Sequence, residues 1–204
     1  MTAQFVLFDL GHVVVDWQPM RLYRQMFDTE EAARHFCENV CTQKWHGEHD
    51  RGVSMADNAA DLIAAYPHYK EQILAWRTRW LDMFPGYMPG VPAVMAELEE
   101  AQVPLYGLSN LPAEIAQETF DRFPMIKLLR DVVVSGAEGV TKPDARIYEI
   151  ALARMGRPDP ATIFFIDNLQ ANIDAARRAG MRAHLFTGAG RLRQALLDEQ
   201  ILPG

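Results

Sequence analysis

The sequence has few of the features that mark secreted or membrane proteins. Only two of its 204 residues are cysteines, Cys37 and Cys41, which is too few for a disulfide framework and predicts reduced thiols. No apolar run approaches the roughly 18 residues needed to cross a bilayer. The N-terminal segment has no basic region before its short apolar run, so it predicts a strand and not a signal peptide. We therefore expect a soluble, cytoplasmic protein with no membrane partner.

Positive charge is also scarce. The chain has 20 lysine and arginine residues against 27 acidic residues, for a formal net charge of −7. This balance disfavours a broad nucleic-acid-binding surface, so we expect no nucleic-acid partner. An acidic protein that binds phosphate has to collect positive charge locally, from a lysine, a metal ion or helix N-termini.

Apolar residues make up 49% of the chain, and many of them fall into five short continuous runs. Such runs are typical of strands that are buried on both faces of a parallel sheet. Because helical patterns lie between the later runs, the sequence predicts a Rossmann-like, doubly wound α/β fold with right-handed crossovers. The predicted strands are residues 5–8, 103–108, 132–134, 163–166 and 183–186, and the predicted helices are residues 93–101, 113–123, 144–155 and 171–179.

The first two predicted strands are separated by far more chain than a crossover requires. Residues 17–88 are rich in helix formers and contain Trp45, Trp76 and Trp80. Breaks occur at residues 47–52, at Pro67 and at residues 84–86. We interpret residues 17–88 as an inserted cap domain of about four helices, and residues 1–16 and 89–204 as the core domain.

Polar side chains stand where the predicted strands end. Asp9 follows the first strand, Ser109 and Asn110 follow the second, and Asp167 and Asn168 follow the fourth. Lys142 lies in the loop after the third strand. Each residue alone is commonly a turn former or helix cap. Ligands of open α/β sheets, however, bind at the carboxyl ends of the strands, and this topology brings all of these residues there.

The set resembles the four motifs of the haloacid dehalogenase superfamily, in the subclass with a helical C1 cap. Asp9 corresponds to the nucleophile, Ser109 to the phosphate-binding hydroxyl, Lys142 to the motif lysine and Asp167 to the metal-binding carboxylate. The sequence Lys142-Pro143-Asp144 and residues 172–181 strengthen the match. Asp9-Leu10-Gly11 resembles a subgroup related to alpha-glucose-1-phosphate phosphatases.

The resemblance implies a hydrolase: a Mg²⁺-dependent phosphatase that forms an aspartyl-phosphate on Asp9. A cap over the site suggests a small phosphorylated metabolite as substrate, with sugar phosphates foremost. The resemblance assigns Mg²⁺ to Asp9, Asp167 and the backbone carbonyl of Gly11, and phosphate to Ser109, Asn110 and Lys142.

The sequence departs from the phosphatase pattern at two positions. Gly11 stands where these phosphatases usually carry a second aspartate that acts as general acid and base, a function typically worth roughly 10²–10⁴-fold in rate. His12, or His46 or His49 in the cap, could substitute for it. Asn168 replaces a second acidic residue and is expected to weaken metal binding without abolishing it. Within residues 44–52 of the cap, Arg51 or His46 is expected to point inward and select the substrate.

Three other functions have to be weighed against the phosphatase. A metal-independent 2-haloacid dehalogenase also lacks the second aspartate, and Tyr148 fits such an enzyme as well as it fits a core position. Those dehalogenases, however, typically carry an aromatic hydroxyl in place of Gly11 and serine in place of Asp167. A non-catalytic phosphate-binding homologue is disfavoured by the retention of all four motif residues, and a phosphate-transferring mutase would depend on the missing acid and base.

Overall fold

A computed structural model describes residues 4–203 of the chain. Its strands are β1 (Phe5–Phe8), β2 (Val15–Asp16), β3 (Gly86–Tyr87), β4 (Leu105–Ser109), β5 (Val132–Val134), β6 (Ile163–Asp167) and β7 (Arg182–Leu185). Five of them form a central parallel sheet in the order β5-β4-β1-β6-β7, and β2 and β3 form a separate antiparallel pair.

The apolar runs form strands because both faces of the sheet are covered. Val6 and Phe8 belong to one buried apolar cluster, whereas Leu7 belongs to another on the opposite face. This alternation is the two-residue period of an extended chain. In register, Val6 of β1 lies beside Leu105 on one side and Phe164 on the other.

Helices cover both faces, which confirms the predicted doubly wound α/β class. The core helices are α6 (Val91–Glu100), α7 (Ala113–Arg122), α8 (Ser135–Glu138), α9 (Ala145–Arg154), α10 (Gln170–Arg178) and α11 (Ala189–Asp198). Helices α6, α7 and α11 contribute to the cluster with Val6, and α9 and α10 contribute to the cluster with Leu7. Helix α11 was not among the helices predicted from the sequence.

Residues 17–88 form five helices that lie between β2 and β3, one more than the sequence suggested. Apolar side chains of these helices, such as Phe36 and Trp76, belong to the same buried cluster as Val6 and Phe8 of the sheet. The helices are α1 (Pro19–Tyr23), α2 (Glu30–Asn39), α3 (Gln43–Asp50), α4 (Met55–Ala65) and α5 (Lys70–Thr78), with short 3-10 turns before and after α5. We refer to residues 17–88 as the helical insertion.

Both cysteines are free thiols in the insertion, as expected from their number. Burial raises the pKa of Cys37 to about 11. Among the described residues, no helix is both long and apolar enough to cross a membrane.

Candidate active site

The site lies where the strand order reverses. From β1 the chain crosses to β4 on one side and later to β6 on the other, so the carboxyl ends of these three strands meet. Asp9 directly follows β1, Ser109 ends β4 and Asp167 ends β6. The topology therefore brings together residues that are up to 158 positions apart in the sequence, by the difference between 167 and 9.

Lys142 joins the two carboxylates. Its Nζ lies 2.8 Å from Asp9 Oδ1 and 2.8 Å from Asp167 Oδ2, and it donates a third contact of 2.8 Å to the backbone carbonyl of Leu108. Its relative exposure is 4%, so the ammonium group is almost completely removed from solvent. An ammonium group has three hydrogens, and these three acceptors use all of them.

Asn110 fixes the loop that carries Lys142. The Asn110 amide donates to the backbone carbonyl of Lys142 at 3.1 Å, and its oxygen accepts from the Lys142 N–H at 2.8 Å. The amide oxygen is thereby used, whereas the second hydrogen of the amide nitrogen and the backbone N–H stay available for the predicted contact with phosphate.

Asp167 is held by the start of α10. Asn172 donates to both carboxylate oxygens at 3.0 Å, and the Leu169 N–H donates to Oδ1 at 2.8 Å. Asp167 has no exposed surface. In the sequence Asn172 is recognisable only as part of a motif, whereas these contacts show that it is the partner of Asp167.

Asp9 begins a tight turn that continues to Val15. Its Oδ1 accepts from the Leu10 N–H at 2.7 Å, and the Leu10 carbonyl accepts from three later amides, up to that of Val15. His12 adopts a left-handed backbone conformation, with φ of 58°, which is uncommon for a residue other than glycine. The turn directs Gly11 and His12 toward the space above the strand ends, where both line the cavity.

Burial dominates the electrostatics of the charged centre. It raises the pKa of Asp9; the positive charge of Lys142 opposes this and the negative charge of Asp167 adds to it. Burial lowers the pKa of Lys142, but Asp9 and Asp167 together raise it above its ordinary value. Lys142 is therefore held as a cation between two acidic groups.

A cavity of about 400 Å³ lies above this centre. The Ser109 hydroxyl, which makes no hydrogen bond with another described residue, faces it and is free to donate. The core side of the wall is formed by Asp9, Leu10, Gly11, His12, Val15, Ser109, Asn110, Leu111, Thr119, Lys142, Asn168, Leu169 and Asn172, and the insertion contributes Trp17, Gln43, His46, Asp50, Trp80 and Phe84.

Aromatic rings dominate the side of the cavity that the insertion forms. The His46 ring lies 4.9 Å from that of Trp17 and 5.7 Å from that of Trp80, measured between ring centroids. Burial lowers the pKa of His46 to about 3, and the nearby His49 adds to the effect. His46 thus faces the cavity, as the sequence suggested, but as a neutral ring packed against two tryptophans that also contact each other.

Arg51 does not lie where the sequence interpretation placed it. Its guanidinium donates to the Gly47 carbonyl at 3.2 Å and to Glu48 at 3.1 Å, and 54% of the side chain is exposed. The adjacent Asp50 lines the cavity in its place. The reason is the geometry of α3: consecutive helical residues point about 100° apart, so Asp50 and Arg51 cannot both face inward.

The donor groups at the strand ends fit a hard divalent cation. No cluster of three or more His, Cys, Asp or Glu side chains with metal-binding geometry occurs in residues 4–203. A site for Mg²⁺ does not need one, because it commonly combines one or two carboxylates with carbonyl oxygens and water. Asp9 and Asp167 carry two negative charges against one on Lys142, so a cation is also favoured by charge.

Comparison with known proteins agrees with this arrangement. A doubly wound sheet with two carboxylates, a lysine and a hydroxyl at its switch point defines a class of hydrolases. The sequence model of the haloacid dehalogenase-like hydrolases matches residues 5–180, and the chain belongs to this family of enzymes. The sesquiterpene phosphatase astK of Aspergillus oryzae is 23% identical over 180 residues, which is 88% of each chain.

Three solved structures share the fold. A predicted HAD-like hydrolase from Porphyromonas gingivalis is 17% identical with a TM-score of 0.73, covering 97% of this chain and 98% of that one. A dehalogenase is 15% identical with a TM-score of 0.69, covering 95% and 97%. A HAD family enzyme from Bacteroides thetaiotaomicron, in complex with magnesium and inorganic phosphate, is 15% identical with a TM-score of 0.65, covering 91% and 95%.

Proposed function

We propose that the chain is a Mg²⁺-dependent phosphomonoester hydrolase acting on a small phosphorylated metabolite. The observation that carries this proposal is the charged centre: Lys142 bridges Asp9 and Asp167 at 2.8 Å beneath a cavity that the Ser109 hydroxyl also faces. This centre offers a nucleophile, a cation and a hydrogen-bond donor to one phosphate group.

In the proposed reaction Asp9 is the nucleophile. One of its carboxylate oxygens attacks phosphorus, and an aspartyl-phosphate forms as the ester oxygen leaves; water then hydrolyses the intermediate. The Ser109 hydroxyl donates to a phosphate oxygen, and the positive charge of Lys142 stabilises the charge that develops on the phosphate. Asn110 positions Lys142, and Asn172 positions Asp167.

Mg²⁺ would be held by Asp9, Asp167 and the Gly11 carbonyl. Asp9, Gly11 and Asn168 line the cavity, whereas Asp167 is fully buried beside Lys142. When bound, it would neutralise the charge of the phosphate and carboxylates. The magnesium and phosphate bound to the Bacteroides enzyme of the same fold support this choice of cation.

The helical insertion is proposed to act as a C1-type cap, with residues 17–88 as the cap domain and the remainder as the core. In support of this, the insertion supplies the wall of the cavity opposite the charged centre. Among the described residues that line the cavity, Lys142 is the only lysine or arginine. This composition favours an uncharged leaving group, such as a sugar, over one that carries a second anion.

The first test is hydrolysis of p-nitrophenyl phosphate with and without Mg²⁺, comparing the wild type with Asp9→Asn. We expect turnover that requires Mg²⁺ and falls at least a hundredfold in the variant, because an amide is a poor nucleophile. Asp144→Asn is the control, since Asp144 is a helix-capping carboxylate outside the cavity. Equal turnover in the wild type and Asp9→Asn would contradict the proposal.

A second assay, added to the first, distinguishes the alternative functions. Hydrolysis of 2-chloropropionate without metal, in a protein that leaves phosphate esters intact, would establish a dehalogenase. The environment of Tyr148 gives that alternative no support, because this side chain is buried in the core and donates its hydroxyl to the Asn172 carbonyl at 2.9 Å. Metal binding without any turnover would favour a non-catalytic homologue.

A further inference from the structure

Gly11 leaves the proposed phosphatase without its usual proton donor. The cavity wall offers few replacements besides the charged centre itself: His12, His46 and Asp50 are its other titratable side chains among the described residues. The low pKa of His46 keeps its ring neutral, so it has no proton to give near neutral pH. His12, by contrast, is open to solvent: 45% of its side chain is exposed, and its Nδ1 lies 3.9 Å from Asp16 Oδ1.

Asp50 differs from both histidines. It lies at the end of α3, is only 8% exposed and faces the cavity that contains Asp9 and Lys142. Its Oδ1 is buried and accepts no hydrogen bond from the described residues. The Nε2 atom of His46 lies 3.5 Å from this oxygen. An unpaired buried carboxylate oxygen is costly, so it calls for a functional or structural explanation.

The position of Asp50 is fixed against the core. Its backbone carbonyl accepts from the Ser135 hydroxyl at 2.7 Å, and the same hydroxyl oxygen accepts from the Leu111 N–H at 3.0 Å. One serine thus ties Asp50 to the loop that follows Ser109 and Asn110. Close packing reinforces this link, since a Cβ on Gly52 would lie only 2.9 Å from the Gly136 carbonyl.

We propose that Asp50 is the general acid and base of the reaction, supplied by the helical insertion in place of the residue missing at Gly11. This inference rests on the proposed phosphatase function. It assigns Asp50 a catalytic role that the sequence motifs do not indicate.

Asp50 gives and then regains one proton in the two steps of the reaction. Protonated Asp50 gives its proton to the ester oxygen as Asp9 attacks phosphorus, so the substrate leaves as a neutral alcohol and Asp50 becomes a carboxylate. In the second step Asp50 takes a proton from the attacking water, the phosphorus–oxygen bond to Asp9 breaks, and inorganic phosphate is released. Both residues return to their starting states.

The electrostatic environment suits this role. Burial raises the pKa of Asp50 to about 7; Lys142 and then Arg51 oppose the rise, and Asp9 adds to it. His46 on the same helix, with Nε2 3.5 Å from Asp50 Oδ1, is a neutral ring, since burial lowers its pKa. A general acid works best when its pKa is close to the working pH.

The test compares two similar substrates, p-nitrophenyl phosphate and phenyl phosphate. Nitrophenolate leaves readily without a proton, whereas phenolate is about as basic as the side chain of tyrosine, with a pKa of roughly 10. For Asp50→Asn we expect kcat/KM to fall roughly 10²–10⁴-fold with phenyl phosphate and less than tenfold with p-nitrophenyl phosphate. Glu48→Gln is the matched control, because Glu48 is an exposed acid on the same helix.

Asp50→Glu provides a second variant that keeps the carboxyl group, and we expect it to recover part of the activity on phenyl phosphate. Thermal unfolding of each variant shows that it is folded. Equal losses with both substrates would overturn the role of Asp50 while leaving the phosphatase function intact. Absence of Mg²⁺-dependent turnover in the wild type would overturn the phosphatase function and this role with it.

Discussion

At the scale of residues, the charged centre balances two carboxylates against one ammonium group. With all three groups ionised, Asp9, Lys142 and Asp167 carry a net charge of −1 in a site with little exposed surface. Buried ionic groups of this kind persist only when their remaining hydrogen bonds are satisfied. Asn172 and the Leu169 amide meet that need for Asp167, so the site is arranged before any substrate binds.

Gly11 gives a direct test of the proton-transfer argument. A Cβ at this position would have no atom within 4 Å, so an aspartate can be introduced without a clash. In the Asp50→Asn background, we expect Gly11→Asp to raise kcat/KM for phenyl phosphate at least tenfold, because it restores a carboxyl group next to the nucleophile. In the wild type we expect a smaller change, since Asp50 already supplies the proton.

Gly11→Asn in the same background is the control for the added side chain. Asparagine has nearly the same shape but no acidic proton to transfer. Equal gains from Gly11→Asp and Gly11→Asn, or equal gains in both backgrounds, would show that the two carboxyl groups do not substitute for each other.

At the scale of elements, α7 is the core helix to which the insertion is attached. Glu114 accepts from the Met55 N–H at 2.8 Å, Glu118 pairs with Arg77 at 2.9 Å, and Thr119 accepts from the Trp80 indole at 3.0 Å. Positions 114 and 118 are four residues apart and therefore share one helix face. This face holds α4 and α5 of the insertion in place, as Ser135 holds α3.

Gly136 is tightly packed against the loop that leads from Ser109 into α7. A Cβ there would lie 2.6 Å from the Ala113 N and 2.9 Å from the Leu111 carbonyl, both backbone atoms that cannot move independently. We expect Gly136→Ala to lower the free energy of unfolding by about 1–3 kcal/mol, the usual cost of overpacking. It should also reduce kcat with p-nitrophenyl phosphate, because it displaces the loop after Ser109.

Gly190→Ala is the matched control for this substitution. Gly190 lies in the first turn of α11, and a Cβ there would contact nothing within 4 Å. We expect it to be neutral or stabilising by up to about 1 kcal/mol. Urea unfolding monitored by tryptophan fluorescence measures both variants, and equal stabilities would contradict the packing argument.

Some of these elements could be predicted from the sequence and others could not. The strands were identifiable because burial on both faces requires continuous apolar residues, and Asp9, Ser109, Lys142 and Asp167 because each lies in a motif beside a strand. Asp50 is not identifiable from the sequence, because its position depends on a contact with Ser135, which is 85 residues away. The polar composition of residues 44–52 does not distinguish Asp50 from Arg51, since only the phase of the helix shows which residue faces inward.

At the scale of the whole molecule, the buried polar groups shift the pH dependence of stability in opposite directions. Burial raises the pKa values of Asp9 and Asp50, so the folded protein holds protons that the unfolded chain releases between about pH 4 and 7. These groups add stability as the pH falls through that range. His46 and His49 of α3 have lowered pKa values and make the opposite contribution. The sum of the two contributions sets how the stability of the protein depends on pH.

The contribution of His46 to the pH dependence of stability can be measured separately. Its pKa is lowered from 6.5 to about 3, chiefly by burial. Below pH 6.5 the unfolded chain therefore binds a proton that the folded protein does not, and stability is lost as the pH falls toward 3. The limit for one group is about 1.4 kcal/mol per pH unit.

We expect His46→Phe to remove this loss, because phenylalanine keeps an aromatic ring against Trp17 and Trp80 but binds no proton. The free energy of unfolding of the variant relative to the wild type should therefore increase steadily as the pH falls from 7 to 4, by up to about 1.4 kcal/mol per unit. Urea unfolding at a series of pH values measures it. His35→Gln, at an exposed position of α2, controls for the loss of a histidine as such. If the His46→Phe and wild-type profiles run parallel, His46 does not stay neutral in the folded protein, and its exclusion as a proton donor fails as well.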